Sequence, residues 1–219
     1  MIVLAGLGLS WTCYGSTISF FDSVPFQGTN WTKSVTIPRF NPALGTLNSV
    51  SFKLDAYLKS TAFLENTGPS PALVTATLTA TITLSRPDLT IITYTTPIIT
   101  VSDNFTAFDL VLDFGGTSGK THAGLTANDS VVVASPPPAT DLALFTGIGN
   151  IIMPVTAKVK SVFSGDTGNL AAGFSSGSSA AVTVTYNYSS AIPTPKVVWA
   201  GGVMLAGLIL HHFRRRLRA

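Results

Sequence analysis

Cysteine is almost missing from this 219-residue chain, with Cys13 the single example. One thiol excludes an intramolecular disulfide framework and any thiolate-rich zinc centre. Groups for acid–base chemistry are scarce too. Charged residues make up 11% of the chain, Glu65 is its one glutamate, and His122 is the one histidine before residue 211. A histidine-rich metal site therefore lacks ligands. A Ser-His-Asp triad would have to use His122, which falls in an expected loop with no nucleophile elbow beside it. Gly147 and Gly149 lack the lysine and helix opening of a phosphate loop. A carboxylate pair for glycoside hydrolysis would have to come from Asp103, Asp109 and Asp113. No catalytic residue, metal ligand or cofactor is assigned on this reading, and the chain is not expected to be an enzyme.

Basic charge is unevenly spread. The chain has 13 Lys and Arg against 10 acids, but five of the basic residues (Lys196, Arg214, Arg215, Arg216 and Arg218) lie in the tail. Eight basic groups then face ten acids over residues 1–192, a formal charge of −2. The folded part has no basic surplus from which to build a nucleic-acid face, so no nucleic-acid partner is expected.

Sustained helical periodicity is also absent from residues 16–190, and what replaces it is alternation. Val50, Phe52, Leu54, Ala56 and Leu58 take every second position in one segment. Val74, Ala76, Leu78, Ala80, Ile82 and Leu84 alternate with threonines at 75, 77, 79, 81 and 83 in another. A period of two with one apolar side describes a strand that covers a core on a single face. Expected strands are 17–21, 33–37, 47–58, 73–84, 89–101, 107–114, 130–134, 142–146, 151–163 and 180–188. The Ser/Gly-rich stretch 173–179 reads as a loop before the last of them. Asp109 and Asp113 would share one strand face. The expected fold is all-β, an antiparallel sandwich of about nine or ten strands in one domain over 16–190, followed by a C-terminal transmembrane helix. Trp31, Tyr57, Tyr94, Tyr186 and Tyr188 are candidates for a platform under sugar rings, and equally for sheet packing.

The tail has a layout of its own. Pro193, Thr194 and Pro195 sit in a linker over 191–196, and an uncharged apolar run follows from Val197 to Leu210. Its 14 residues give roughly 21 Å of helix, short of the roughly 30 Å hydrocarbon core. Counting through Phe213 extends it to 17 residues, and terminal arginines can snorkel to the headgroups. Residues 197–213 are thus expected to contact membrane lipid as a transmembrane helix, with 214–219 as a basic cytoplasmic tail. Arg214, Arg215, Arg216 and Arg218 act as stop and orientation signal and place the N-terminal domain outside. At the other end, Met1–Leu9 reads as the apolar part of a signal peptide over 1–15, without the usual basic residues before it. Together these imply a protein of the cell envelope or surface with a single-pass anchor.

One further run is specific. Pro38, Arg39, Phe40, Asn41, Pro42, Ala43, Leu44, Gly45, Thr46 and Leu47 lead directly into the alternating strand, and a late strand ends Val182–Tyr188. Over about residues 16–190 the chain resembles the choice-of-anchor E family of bacterial exported surface domains. The tail is similar in layout to PEP-CTERM sorting segments: proline motif, short hydrophobic helix, arginine cluster. Thr194 stands where such segments carry glutamate. The resemblance implies an exosortase-type processing enzyme and exopolysaccharide as partners, and no established activity. The expected function is a structural, matrix-associated surface protein; the alternative is a carbohydrate-binding module acting on extracellular polysaccharide. Pro38 and Pro42 mark a strand end and turn, Gly45 supplies a positive φ, and Arg39 is a candidate partner for Asp55.

Overall fold

The computed structural model describes residues 15–134, 139–166 and 169–190. The expected leader (apart from Gly15), the Pro193-Thr194-Pro195 motif, the membrane segment and the terminal arginines lie outside the described residues. Nine strands carry the fold: β1 (Gly15–Gly28), β2 (Trp31–Pro38), β3 (Gly45–Asn66), β4 (Ala72–Ser85), β5 (Ile91–Thr95), β6 (Ile98–Phe105), β7 (Gly119–Ala134), β8 (Asn150–Gly165) and β9 (Leu170–Ser190). Two 3-10 segments, Pro42–Leu44 and Ala139–Phe145, complete the described elements. No helix among the described residues is long and apolar enough to cross a membrane.

The strands form two antiparallel sheets. One runs β1-β9-β3-β7, and the other runs β2-β8-β4 with β5 and β6 both along the far side of β4. The chain passes back and forth between the sheets, and β8 and β9 each insert between two earlier strands of their own sheet. With β5 and β6 counted as one bent strand, this is the eight-strand order of a jelly roll. The bend falls at Thr96-Pro97, because Pro97 has no N–H to give the ladder. Its carbonyl still accepts from Ala80 N at 3.1 Å.

The alternation in the sequence is the alternation of burial. Phe52, Leu54, Leu58 and Leu64 of β3 and Val74, Leu78, Ile82 and Leu84 of β4 are each at most 1% exposed and face one another across the core. The threonines of β4 line the outside, where Thr75 meets the Ser102 hydroxyl at 2.8 Å and Thr77 meets Thr100 at 3.2 Å.

Five expected elements come out differently. The strand expected over 89–101 divides into β5 and β6 at Thr96-Pro97. Residues 107–114 are a loop: Asp109 and Asp113 each fold their carboxylate back on the backbone N–H two residues on, Val111 at 3.0 Å and Gly115 at 2.8 Å. Such turns compete with strand pairing, so the two acids share no strand face. Residues 142–145 belong to the second 3-10 segment rather than to a strand, and Thr146 makes only an isolated bridge to Phe40. The expected 130–134 strand begins at Gly119 and takes in His122. Residues 173–179, expected as a loop, lie inside β9, hydrogen-bonded to β3 throughout and, over 177–178, also to β1. A central position in a sheet overrides the weak strand preference of glycine and serine.

Candidate functional site

The specific run 38–47 makes the crossing from one sheet to the other. Pro38 ends β2. Phe40, 1% exposed, bridges to Thr146 and donates its N–H to Phe145 O at 2.8 Å. Asn41 caps the 3-10 turn through its side-chain oxygen, which accepts from Ala43 N at 2.9 Å, and Pro42 opens that turn. Leu44 donates its N–H to Asn41 O at 3.0 Å, and Gly45 enters β3 at φ 144°. Gly45 starts the β3 ladder opposite Ser190, Thr46 follows opposite Ser189, and Leu47 is buried. Arg39 does not pair with Asp55. Asp55 is held on the opposite face of β3's sheet, by Lys53 at 2.8 Å and by the Ser130 hydroxyl at 2.7 Å. The run therefore does architectural work.

Charges gather instead at the two open seams, where the edge strand of one sheet faces the edge strand of the other. At the first seam, Asp22 of β1 accepts from Thr36 N of β2 at 2.6 Å. At the second, Asp129 of β7 accepts from Thr96 N at 2.7 Å. Asp103 of β6 meets two groups of β7, Lys120 Nζ at 2.7 Å and His122 Nε2. Inward-pointing charge on edge strands of this kind satisfies free N–H groups and resists edge-to-edge aggregation. Partial burial pushes the Asp103 carboxyl up, but the hydrogen bonds and charges of Lys120 and His122 outweigh it and hold the group below its usual 3.8.

Because the folded value is the lower one, this stabilisation is present above the ordinary aspartate range and is lost as pH falls through the folded value. Asp103→Asn should cost about 1 kcal/mol at pH 7. Urea titrations at falling pH should show the gap between parent and variant closing below about pH 4.

Among the described residues no serine or threonine hydroxyl hydrogen-bonds His122, so the His122–Asp103 couple stands as a clip between sheets. Asp109 and Asp113 are occupied in their own turns. No group of three or more metal-ligating side chains occurs among the described residues.

The aromatic candidates do not share a face. Trp31 is buried, and its indole N–H donates to Ser178 Oγ at 3.0 Å. Tyr186 is buried between Phe20 and Phe40, and Tyr188 packs 5.1 Å from the Phe40 ring. Tyr94 is exposed on β5 in the other sheet. Tyr57 borders a depression, and its neighbour there, Phe26, is a residue that sequence reasoning passed over.

That depression runs along β9 on the outer face of the β1-β9-β3-β7 sheet. A bulge between Val24 and Gln27 throws Phe26 outward from β1, and its ring comes to lie on Gly177. A Cβ at Gly177 would sit 2.5 Å from Phe26 Cζ and 2.9 Å from Gln27 O, so only glycine leaves room for the ring. Phe26 and Tyr57 stand 6.0 Å apart with their planes tilted by 56°. Two cavities of about 330 and 270 Å³ open on either side of Phe26. The sequence signal was available: inward positions of β1 run 16 to 24 in even steps and then jump to Gln27, with Pro25 at the break.

No family model matches the chain, and no curated protein matches it. Among solved structures, that of the infectious bursal disease virus Gx strain aligns at 14% identity and TM-score 0.22, covering 88% of this chain and 42% of that one. The crystal structure of the infectious bursal disease virus VP2 subviral particle aligns at 18% identity and TM-score 0.23, covering 98% and 54%. The chain thus spans about half the length of these structures, and likeness at such scores carries no argument about function.

Proposed function

We propose that this protein is a non-enzymatic β-sandwich of the choice-of-anchor E type, displayed at the cell envelope by residues 197–213 and serving as a structural, matrix-associated component. The observation that carries the reading is the tail itself: proline motif, apolar segment and four arginines in that order. Its support in the fold is positional. Gly15 pairs with Ser189, and Gly45 with Ser190, so leader and tail join the sandwich at the same end. An anchor there leaves β3, 22 residues long and about 70 Å at strand rise, free to project away from it.

Fractionation of tagged chain tests this. The full-length protein should sediment with membranes, and deletion of 197–219 should move it to the supernatant. Intact mass of the membrane form should show residues 1–15 removed. Full-length protein in the soluble cytoplasmic fraction would end the proposal. Carbohydrate binding is the second reading, and the observation favouring it is the Phe26–Tyr57 depression.

A further inference from the structure

We infer that the depression along β9 is a binding site for a single, uncharged polysaccharide chain, bent around Phe26 and stacked on the outer faces of the Phe26 and Tyr57 rings. This gives the second reading a site and a ligand class.

The floor supplies shape. Ser175, Gly177, Ser179 and Ala181 are the outward positions of β9 here, and none carries more than two heavy atoms beyond Cα. These residues span about 20 Å at strand rise, the scale of several sugar rings, with the Phe26 ring lying across the middle on Gly177. Phe26 reaches in from β1 and Tyr57 stands beside it on β3, their rings 6.0 Å apart, so the pair rises from the floor as one aromatic ridge.

The chemistry selects among extended ligands. β9 is paired with β3 along the whole depression and with β1 from Gly177 onward. Its N–H and C=O groups are therefore committed, and a peptide cannot add here as another strand. What the groove offers instead is hydroxyls, one carboxamide and two aromatic faces. Asn128 is exposed on β7 at the rim of the larger cavity, and its side chain makes no hydrogen bond to another described residue. Ser23 and Ser179 line the same cavity. Donors and acceptors beside apolar ring faces match a pyranose, whose edges are hydroxyl and whose faces are C–H. Charge is subdued: Asp55 is neutralised by Lys53 at 2.8 Å, and Lys59 stands alone at the border of the smaller cavity. A polyanion would find too little positive charge.

Ring geometry adds a limit. Coplanar aromatics suit a flat crystalline surface. A 56° tilt between rings 6.0 Å apart makes an angled ridge, which fits a soluble chain free to bend around it.

The test is native affinity electrophoresis of the full-length chain in mild detergent, through gels containing hydroxyethyl cellulose, amylose or dextran sulfate, with a crystalline cellulose pull-down alongside. Retardation by at least one neutral polymer is expected, with no enrichment on crystalline cellulose. Phe26→Ala and Tyr57→Ala should each weaken it about tenfold. Tyr94→Ala, on the other sheet, should leave it unchanged. Ser179→Phe, which fills the groove from a partly exposed position, should abolish it without lowering the melting temperature.

Three results would overturn the inference: no retardation of the parent by either neutral polymer, retardation that Phe26→Ala and Tyr57→Ala do not alter, or binding to dextran sulfate alone. The same preparations report membrane partition. Glycan binding by a soluble cytoplasmic protein would retain the groove and remove the display proposal; membrane protein without glycan binding would do the reverse.

Discussion

Gly119→Ala should lower the melting temperature by about 6–12 °C, an effect usually reserved for large changes in a core. The reason is one buried carboxylate. Gly119 opens β7 directly opposite Glu65 of β3, and Glu65 is fully buried. A Cβ on Gly119 would lie 2.5 Å from Glu65 Cδ and 2.8 Å from Oε1, closer than any contact can be. Glu65 has nowhere to retreat. Ser118 Oγ donates to its Oε1 at 2.5 Å, and its flanks Leu64 and Asn66 are fully buried. The Asn66 amide donates to Ser70 O at 2.8 Å and Thr106 O at 2.7 Å, which fixes the strand end. Overpacking costs about 1–3 kcal/mol, and moving a buried carboxylate off its donor adds about 1–3 kcal/mol more. About 3 kcal/mol in total is a conservative figure, and a domain of this size loses about 2–4 °C per kcal/mol. Thermal melts followed by circular dichroism would read it. The double change Gly119→Ala with Glu65→Ala removes the clash, so it should melt above the sum of the two single effects. A Gly119→Ala variant melting within about 1 °C of the parent would show that the glycine is not needed there.

Glu65 also marks where the sequence was readable and where it was not. Its strand was plain: the even positions from Val50 to Leu58 and from Val74 to Leu84 were expected to face inward, and they do. A strand that covers a core on one side writes its fold in every second residue, and such positions need no knowledge of neighbours. The last third of β3 is harder. Glu65 and Asn66 are buried polar residues whose partners, Ser118, Ser70 and Thr106, belong to loops, and no local pattern announces them. The stretch 173–179 failed for a related reason. Its glycines and serines prefer no strand of their own and become one because β3 lies along all of it and β1 along its end. The candidate groove inherits that failure, since its floor is the segment that composition assigned to a loop, and its wall, Phe26, is turned outward by a bulge. The seams were legible only as a list of acids: nothing in the spacing of Asp22, Asp103 and Asp129 says that each one reaches across to the other sheet. The jelly-roll order adds the cause, because strands that pair across 166 residues, as Ser19 and Thr185 do at 2.8 Å, leave no trace in a short window.

Tyr186 offers a prediction whose sign changes with pH. Its ring is fully buried, 5.9 Å from Phe20 and 6.0 Å from Phe40, and its hydroxyl donates to Pro38 O at 2.9 Å. That bond ties β9 to the end of β2, where the chain leaves one sheet for the other. Tyr186→Phe keeps the packing but leaves the Pro38 carbonyl without this donor, so it should cost about 1 kcal/mol at neutral pH. Tyr186→Ala opens a cavity as well and should cost about 4 kcal/mol. At high pH the balance reverses. Burial pushes the Tyr186 hydroxyl from 10.0 to about 12, with Arg39 opposing weakly. The unfolded chain therefore loses this proton first. The stabilisation is complete below pH 10 and is lost as pH rises toward the folded value, amounting to about 2–3 kcal/mol by pH 12. The phenylalanine variant has no such proton. The two proteins differ in this one hydroxyl, so the difference between two urea titrations isolates Tyr186. The parent should be the more stable up to about pH 10, the two curves should cross near about pH 11, and the variant should be the more stable beyond it. Parallel curves across that range would mean that the hydroxyl reaches water in the folded state, contrary to its place between the two phenylalanines.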